Sequence, residues 1–346
     1  MKERTLKMSL IVTGKTIAQE LGLSISTVDR VLNNRGNVKQ ETYDKVVKKA
    51  EELNYKPNKF ASSLSKKNSY RVALIYPRYI KFFWEQVTTG FNKAIDEIED
   101  YGLRVDTYRS SPPNVSAKEF LKQIIDSGNY HGIAISAGEE DVTEMINYGI
   151  DLGIKICTFN MDVKESHRLF HVGANYREAG RLAGELICKF TKKEGKVAIL
   201  GKANDFQTRE KNEGFLDVAS GFSKIEVFGP YSILGPNNSL KLPNDILKEV
   251  DAVYVSTAEI FEFADYLSSS STKHLIVVGH DLNFQMVKHL KSGVISATIN
   301  QDPIGQGYYT LIQLFNYLAF SDGRPFPSDI KSKLEIVMKE NVDFYV

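Results

Sequence analysis

Ile25, Ser26, Asp29 and Arg30 share one face of a helical run, while Val28, Val31 and Leu32 fall at i, i+3 and i+4 on another. A guanidinium carried outward on such a face can hold phosphate or a guanine edge through paired N–H donors; a merely solvated helix arginine would occupy the same place. Far along the chain, Asp281 and Gln301 directly follow apolar, strand-like runs, where a buried polar side chain needs either a ligand or a capping role. Patterns for catalysis do not emerge. The stretch from Gly195 to Gly201 and Lys202 has the wrong glycine spacing for a phosphate loop, with no Ser or Thr after the lysine. Gly173, Gly180 and Gly184 do not make a dinucleotide fingerprint, and the last two suit close helix packing instead. His167 and His171 stand four apart without the glutamate of a zinc motif. Cys157 and Cys188 lack metal or redox spacing and are too few for a disulfide framework, which fits a reducing compartment. No metal or cofactor is expected.

Three short helices must position the first face. Thr16-Ile17-Ala18-Gln19 has the form of a capping box, Ile17, Ala18 and Leu21 make an apolar stripe, and Gly22 ends the first helix. Ser24 can cap the second. A third is predicted from about Lys39 to Asn54, with Tyr43, Val46, Val47, Ala50 and Leu53 inward. None of these could stand alone, but three with a tight glycine turn read as a helix-turn-helix. Charge follows the same division. The chain's net charge is +1, yet residues 1–69 hold 14 Lys and Arg against 7 Asp and Glu, and the rest holds 30 against 36. A basic segment ahead of a mildly acidic body suits a phosphate-bearing partner, although a solvated lysine-rich face gives the same count.

The remaining residues alternate short apolar runs with helical patterns: RVALIYP, LRVDTYR, GIAIS, KICTFN, then VAILG, IEVFGPY, AVYVS, LIVVGHD and SATIN. Such alternation predicts parallel sheets with crossover helices, and the series divides near Val172-Gly173-Ala174-Asn175 into two similar α/β lobes. With 346 residues the chain has room for two or three domains. No run approaches the roughly 18 apolar residues of a membrane span, and the N-terminus lacks the apolar stretch and cleavage site of a signal peptide. A cytoplasmic protein is expected.

The run TIAQELGLSISTVDRVLNNRGNVKQETYDKVVKKAEELNYKPNKFASSL, residues 16–64, resembles the DNA-binding head of the LacI/GalR family of bacterial repressors. Asp29 departs from the family, where serine is usual. The resemblance implies that Ile25 and Ser26 meet base edges and Arg30 meets guanine, while Ser24, Thr27 and Asn33 hold phosphates. Residues 59–64 resemble the family's hinge helix, which folds on the operator and pairs with its dimer mate in the minor groove, Leu64 being the apolar wedge. An ordinary linker whose leucine docks on the body is the alternative.

From Val72 to about Val342 the body is similar to the effector core that this family shares with ribose-type periplasmic sugar-binding proteins. FFWEQVTTGF, VGANYREAGRLAGELI, REKNEGF, VVGHD and ISATINQDPIGQG carry the likeness. It implies that Phe83 and Trp84 stack on a sugar ring and that Arg209, Asp281 and Gln301 hold its hydroxyls. Phe83 and Trp84 would equally suit the core face of the first body helix. Asn160-Met161 replaces an Asp-Arg pair of the ribose type and Thr257 replaces a common asparagine, so plain ribose is not expected; Asp162 stands near enough to supply a carboxylate.

These readings lead to an α/β protein: a three-helix helix-turn-helix head at 1–58, a hinge and linker at 59–69, and a two-lobed periplasmic-binding-protein-like core at 70–346. Lobe one is expected over about 70–172 and 302–328, lobe two over about 173–301 and 329–346. The expected function is a sequence-specific transcription regulator of repressor type, a homodimer on double-stranded operator DNA, controlled by a small polar effector such as a sugar or sugar derivative. A solute-binding protein without gene control is the alternative. An enzyme would need a constellation that the sequence does not offer.

Overall fold

The computed structural model describes residues 12–32, 36–53, 55, 69–78, 80–109, 115–138, 140–201, 205–233, 241–270, 274–320 and 327–345. They form two compact units, divided between Asn68 and Ser69. The first contains helices α1 (Gly14–Leu21), α2 (Ile25–Leu32) and α3 (Gln40–Glu52). Helix α1 begins earlier than the Thr16 capping box implies. Thr13 is the cap: its hydroxyl accepts from the Thr16 amide at 3.2 Å, and the Thr16 hydroxyl accepts from the Thr13 amide at 3.1 Å. Two threonines three apart satisfy each other's orphan amides, so Thr16 takes the third helical position. Gly22 ends the helix in the left-handed conformation, with φ 63°. Ile17, Ala18, Val28, Val31 and Val46 make the buried core of this unit. That apolar burial, shared among the three, compensates for helices too short to persist singly.

The second unit holds two six-stranded sheets. In lobe one the strands are β1 (Tyr70–Tyr76), β2 (Leu103–Arg109), β3 (Gly132–Ile135), β4 (Lys155–Phe159) and β5 (His171–Gly173), in the order β2-β1-β3-β4-β5, all parallel. Lobe two repeats the plan with β6 (Gly195–Leu200), β7 (Ile225–Tyr231), β8 (Ala252–Val255), β9 (Ile276–His280) and β10 (Ala297–Asn300), in the order β7-β6-β8-β9-β10. The apolar runs of the sequence become these strands because both faces are covered by helices. Two three-residue strands complete the sheets. β11 (Asp329–Lys331) pairs parallel with β5 in lobe one, and β12 (Glu335–Val337) pairs antiparallel with β10 in lobe two. The last crossing between lobes therefore falls after Lys331, not at residue 329 as expected from sequence.

Glycines set the helix packing that fixes each lobe. Helix α4 (Lys81–Ile98) lies against α12 (Pro303–Phe320), where a Cβ on Gly90 would come within 2.0 Å of the Ile304 carbonyl oxygen. In lobe two, α7 (Tyr176–Phe190) lies against α8 (Phe206–Ala219), and a Cβ on Gly180 would come within 1.9 Å of the Lys211 carbonyl oxygen. Among the described residues no helix is long and apolar enough to cross a membrane.

Candidate ligand site and DNA-contact face

Parallel α/β sheets present their ligand-binding residues just beyond the carboxyl ends of the strands, because there the loops leave the sheet and side chains converge. Both lobes follow this rule toward one cavity of about 540 Å³ between them. Ser136 follows β3, Asn160 follows β4, Thr257 lies two residues beyond β8, and Asp281 and Gln301 directly follow β9 and β10; all line it. Ile80, Asn160 and Asp281, each on the lining, have left-handed backbones with φ of 54°, 56° and 69°. Non-glycine residues in this region carry strain, and such strain concentrates where a chain is bent to aim a side chain.

Hydrogen bonds hold these side chains in place. The Gln301 amide donates to the Asp281 carboxylate at 2.7 Å, and the Gln306 amide donates to the Gln301 carbonyl at 2.9 Å. The Tyr176 hydroxyl donates to the Asn160 carbonyl at 2.7 Å; burial raises the Tyr176 pKa, so the phenol keeps the proton it donates. Burial raises the Asp281 pKa against the opposing pull of Lys211 and Gln301. The Ser136 and Thr257 hydroxyl oxygens are buried without a hydrogen-bond partner, and both residues line the cavity. Unpaired polar atoms of this kind are costly unless a ligand or water completes them.

Six of the eight residues expected to bind ligand come together here: Phe83, Trp84, Asn160, Thr257, Asp281 and Gln301. Phe83 and Trp84 also belong to the lobe-one core, so the two readings of that pair coincide. The Trp84 ring packs 5.5 Å from Tyr76 and 5.2 Å from Phe83, leaving it 4% exposed. Arg209 and Asp162 are not on this lining. Arg209 projects from the exposed face of α8, its guanidinium 5.8 Å from the Phe206 ring centroid. Two residues further along the helix the chain turns to the cavity, and Lys211 is the cation that reaches it. Lys211 is only 5% exposed, its ammonium 3.5 Å from the Ser256 carbonyl; burial lowers its pKa, with Asp281 and Asp205 opposing. The sequence signal was a polar residue within the buried phase of α8, but helix phase alone does not say which lysine or arginine faces a cleft.

Asp162 faces a separate crevice of about 240 Å³ beside the crossings between lobes. It is engaged by Arg168 through two hydrogen bonds of 2.5 and 2.8 Å and by the Thr158 hydroxyl at 2.8 Å. Burial alone would raise its pKa, but Arg168, His171 and Thr158 together hold it below the ordinary value. A carboxylate committed to that arginine is not available to the larger cavity.

On the first unit, Ser24, Ile25, Ser26 and Arg30 are exposed and Thr27 is half-buried. Ile25 stands 56% exposed at the start of α2, where an unpaired apolar side chain is free to meet a partner. The Ser24 hydroxyl accepts from the Thr27 amide at 3.1 Å and lies 2.8 Å from both the Ser26 and Thr27 hydroxyls. Ser24 thus caps α2, and the cap gathers three hydroxyls at the helix N-terminus, the end that favours anions. Asn33, Leu64 and the hinge segment 59–64 lie outside the described residues.

Residues 72–322 match the family model of the periplasmic binding protein domain, and residues 14–58 match that of bacterial regulatory proteins of the lacI family. The chain belongs to the periplasmic binding protein domain family and carries a lacI-family head. It is 27% identical over 219 residues to catabolite control protein A of Staphylococcus aureus, covering 62% of this chain and 61% of that protein. The chain thus spans about three fifths of the length of that curated relative. It is 25% identical over 279 residues to the sucrose operon repressor of Streptococcus mutans, covering 77% of this chain and 81% of that repressor. The sugar-binding protein of a sugar ABC transporter from Bacillus halodurans superposes with a TM-score of 0.68 at 24% identity, covering 80% of this chain and all of that one. At that identity the likeness establishes the fold of the core. The lacI-family head accounts for the helical unit that precedes it.

Proposed function

We propose that this protein is a sequence-specific DNA-binding regulator of repressor type, acting in the cytoplasm as a homodimer, whose operator affinity is set by a sugar or sugar derivative. The observation that carries the reading is the joining, in one chain, of a lacI-family head with a binding-protein core whose strand ends converge on a polar and aromatic cavity. Ile25 and Ser26 would meet base edges, Arg30 would donate to guanine, and Ser24, Thr27 and Asn33 would hold phosphates. Leu64 would wedge into the minor groove. In the cavity, Phe83 and Trp84 offer flat apolar surface to a pyranose, while Asp281, Gln301, Asn160, Thr257 and Lys211 offer acceptors and donors to its hydroxyls. Binding of this kind needs no catalytic group, and the relatives named above are a control protein and a repressor. A two-fold operator would be read by two heads, which is the reason for a dimer.

The decisive experiment selects a preferred duplex from random DNA with the full chain and then titrates it, by fluorescence anisotropy, with and without sugars that raise the melting temperature. Preferred binding that changes by a coupling of about 1–3 kcal/mol supports the reading, and the same factor must appear when DNA is added to the sugar titration. Sugar binding with no preference for any duplex would instead favour a solute-binding protein.

A further inference from the structure

Two contacts bridge the lobes without using any group on the cavity lining. The Gln86 amide, on α4 of lobe one, donates at 2.8 Å to the main-chain oxygen of Leu282, which follows β9 in lobe two. One turn earlier, Phe82 packs edge-on against Phe261 of helix α10 (Ile260–Ser269), with ring centroids 4.7 Å apart at 81°. Phe82 therefore packs against the apolar cores of both lobes. Neither Gln86 nor Phe82 is among the residues lining the cavity, whereas Phe83 and Trp84 on the same turn are. Helix α4 thus turns one side to the cavity and another to lobe two. The carbonyl that Gln86 holds belongs to the residue after Asp281, so the bond also fixes the loop from which that carboxylate projects.

We propose that Gln86 and Phe82 form a clasp that holds the lobes closed, and that Gln86 is a positioning residue for ligand binding that never touches the ligand. Its energy comes from protein groups alone, so it adds to the closed state whatever occupies the cavity. A ligand that requires closed lobes binds with an apparent affinity scaled by the closed fraction. Weakening the clasp should therefore lower the affinity for every such ligand by one common factor, whereas a change on the lining should alter the ranking among them. The proposal rests on the reading of the cavity as the ligand site only for this consequence; closure itself can be measured without ligand or DNA.

Lys93 lies exposed on α4 and Lys224 exposed in lobe two, while the native Cys157 and Cys188 are buried, so Lys93→Cys and Lys224→Cys can carry spin labels selectively. In the full chain with no added sugar, dipolar distance measurements should give a mainly short inter-lobe distance. Gln86→Glu keeps the shape of the side chain but removes the donor and sets a carboxylate against the Leu282 oxygen. It should raise the ratio of long to short distances roughly threefold to tenfold, the range of a typical net hydrogen bond. Phe82→Leu should shift it the same way, and Thr89→Ala, on the exposed side of α4, should not. Distributions that match the starting protein in both Gln86→Glu and Phe82→Leu overturn the clasp, as does a starting protein already open. Failure to bind DNA or any sugar would count against the regulator reading and leave this measurement unaffected.

Discussion

Gln301 holds Asp281: its amide donates to the carboxylate at 2.7 Å across the carboxyl ends of two neighbouring parallel strands. The left-handed backbone of Asp281 and the hydrogen bond from the Thr298 hydroxyl to its carbonyl, at 2.7 Å, fix the same residue from its main chain. One carboxylate oxygen is thereby oriented by protein, and the other remains to accept from a hydroxyl in the cavity. A preformed acceptor of this kind spends less rotamer entropy on binding than a free side chain would.

Asp281→Asn should weaken the binding of any stabilising sugar about tenfold or more, since a charged acceptor contributes about 1.5–3 kcal/mol to a hydrogen bond. Trp84, the only tryptophan in the sequence, lines the cavity and supplies the fluorescence signal for the titration. Affinity for the preferred duplex in the absence of sugar should stay at the starting value. An unchanged sugar affinity would remove Asp281 from the ligand set.

Arg30→Ala should reduce affinity for the preferred duplex by about 1–3 kcal/mol and relax preference at one base position. Lys39→Ala, by comparison, should mainly lower the salt dependence of binding. Anisotropy titrations on preferred and random duplexes over several salt concentrations separate the two effects. If Arg30→Ala kept the original ratio between the two duplexes, the outward face of α2 would not be the reading face.

Acid should loosen lobe one through His171. Burial holds this imidazole's pKa down at about 4, below its ordinary value, with Asp162 pulling the other way and Arg168 pushing with burial. The unfolded chain therefore takes up the proton first as pH falls. The stabilisation is fully present above about pH 6.5 and is lost progressively toward pH 4, on the order of 2–3 kcal/mol in total. Thermal unfolding followed from pH 7.5 to pH 4 should show the decline, and His171→Gln should flatten it. A parallel decline in both proteins would place the acid sensitivity elsewhere.

Gly214→Ala should strike the α7 and α8 pair directly, because the new methyl would come within 2.0 Å of the Arg177 carbonyl oxygen. Rigid backbone on both sides leaves no side chain to move, so a loss of about 2–3 kcal/mol or more is expected from overpacking. Calorimetry should show a lower melting temperature for the core. A melting temperature within a degree of the starting protein would mean that the two helices can separate freely.

Local pattern determined most of the architecture. Period-2 and continuous apolar runs marked the nine longer strands, since a β-branched run covered by helices on both faces has few other stable conformations. Val28, Val31 and Leu32 marked the inner side of α2, and the glycine spacing in α7 marked close helix packing. Motif likeness picked out four polar residues, Asn160, Thr257, Asp281 and Gln301, that lie just beyond strand ends on the cavity lining, because in parallel sheets the residue after the strand faces the cleft whatever its identity. The three-residue strands β11 and β12 are too short to show a period, and only pairing with a neighbour made them strands. Tertiary structure also decided which charged side chains reach the cavity. Arg209 and Lys211 stand two apart on one helix, roughly 200° around its axis, and only the packing of α8 against α7 selects between them. Asp162 was close in sequence to the cleft but found a stronger partner in Arg168, six residues away, through a fold in the chain. The clasp between Gln86 and Leu282, 196 residues apart, had no local signature, because its energy exists only once the two lobes meet.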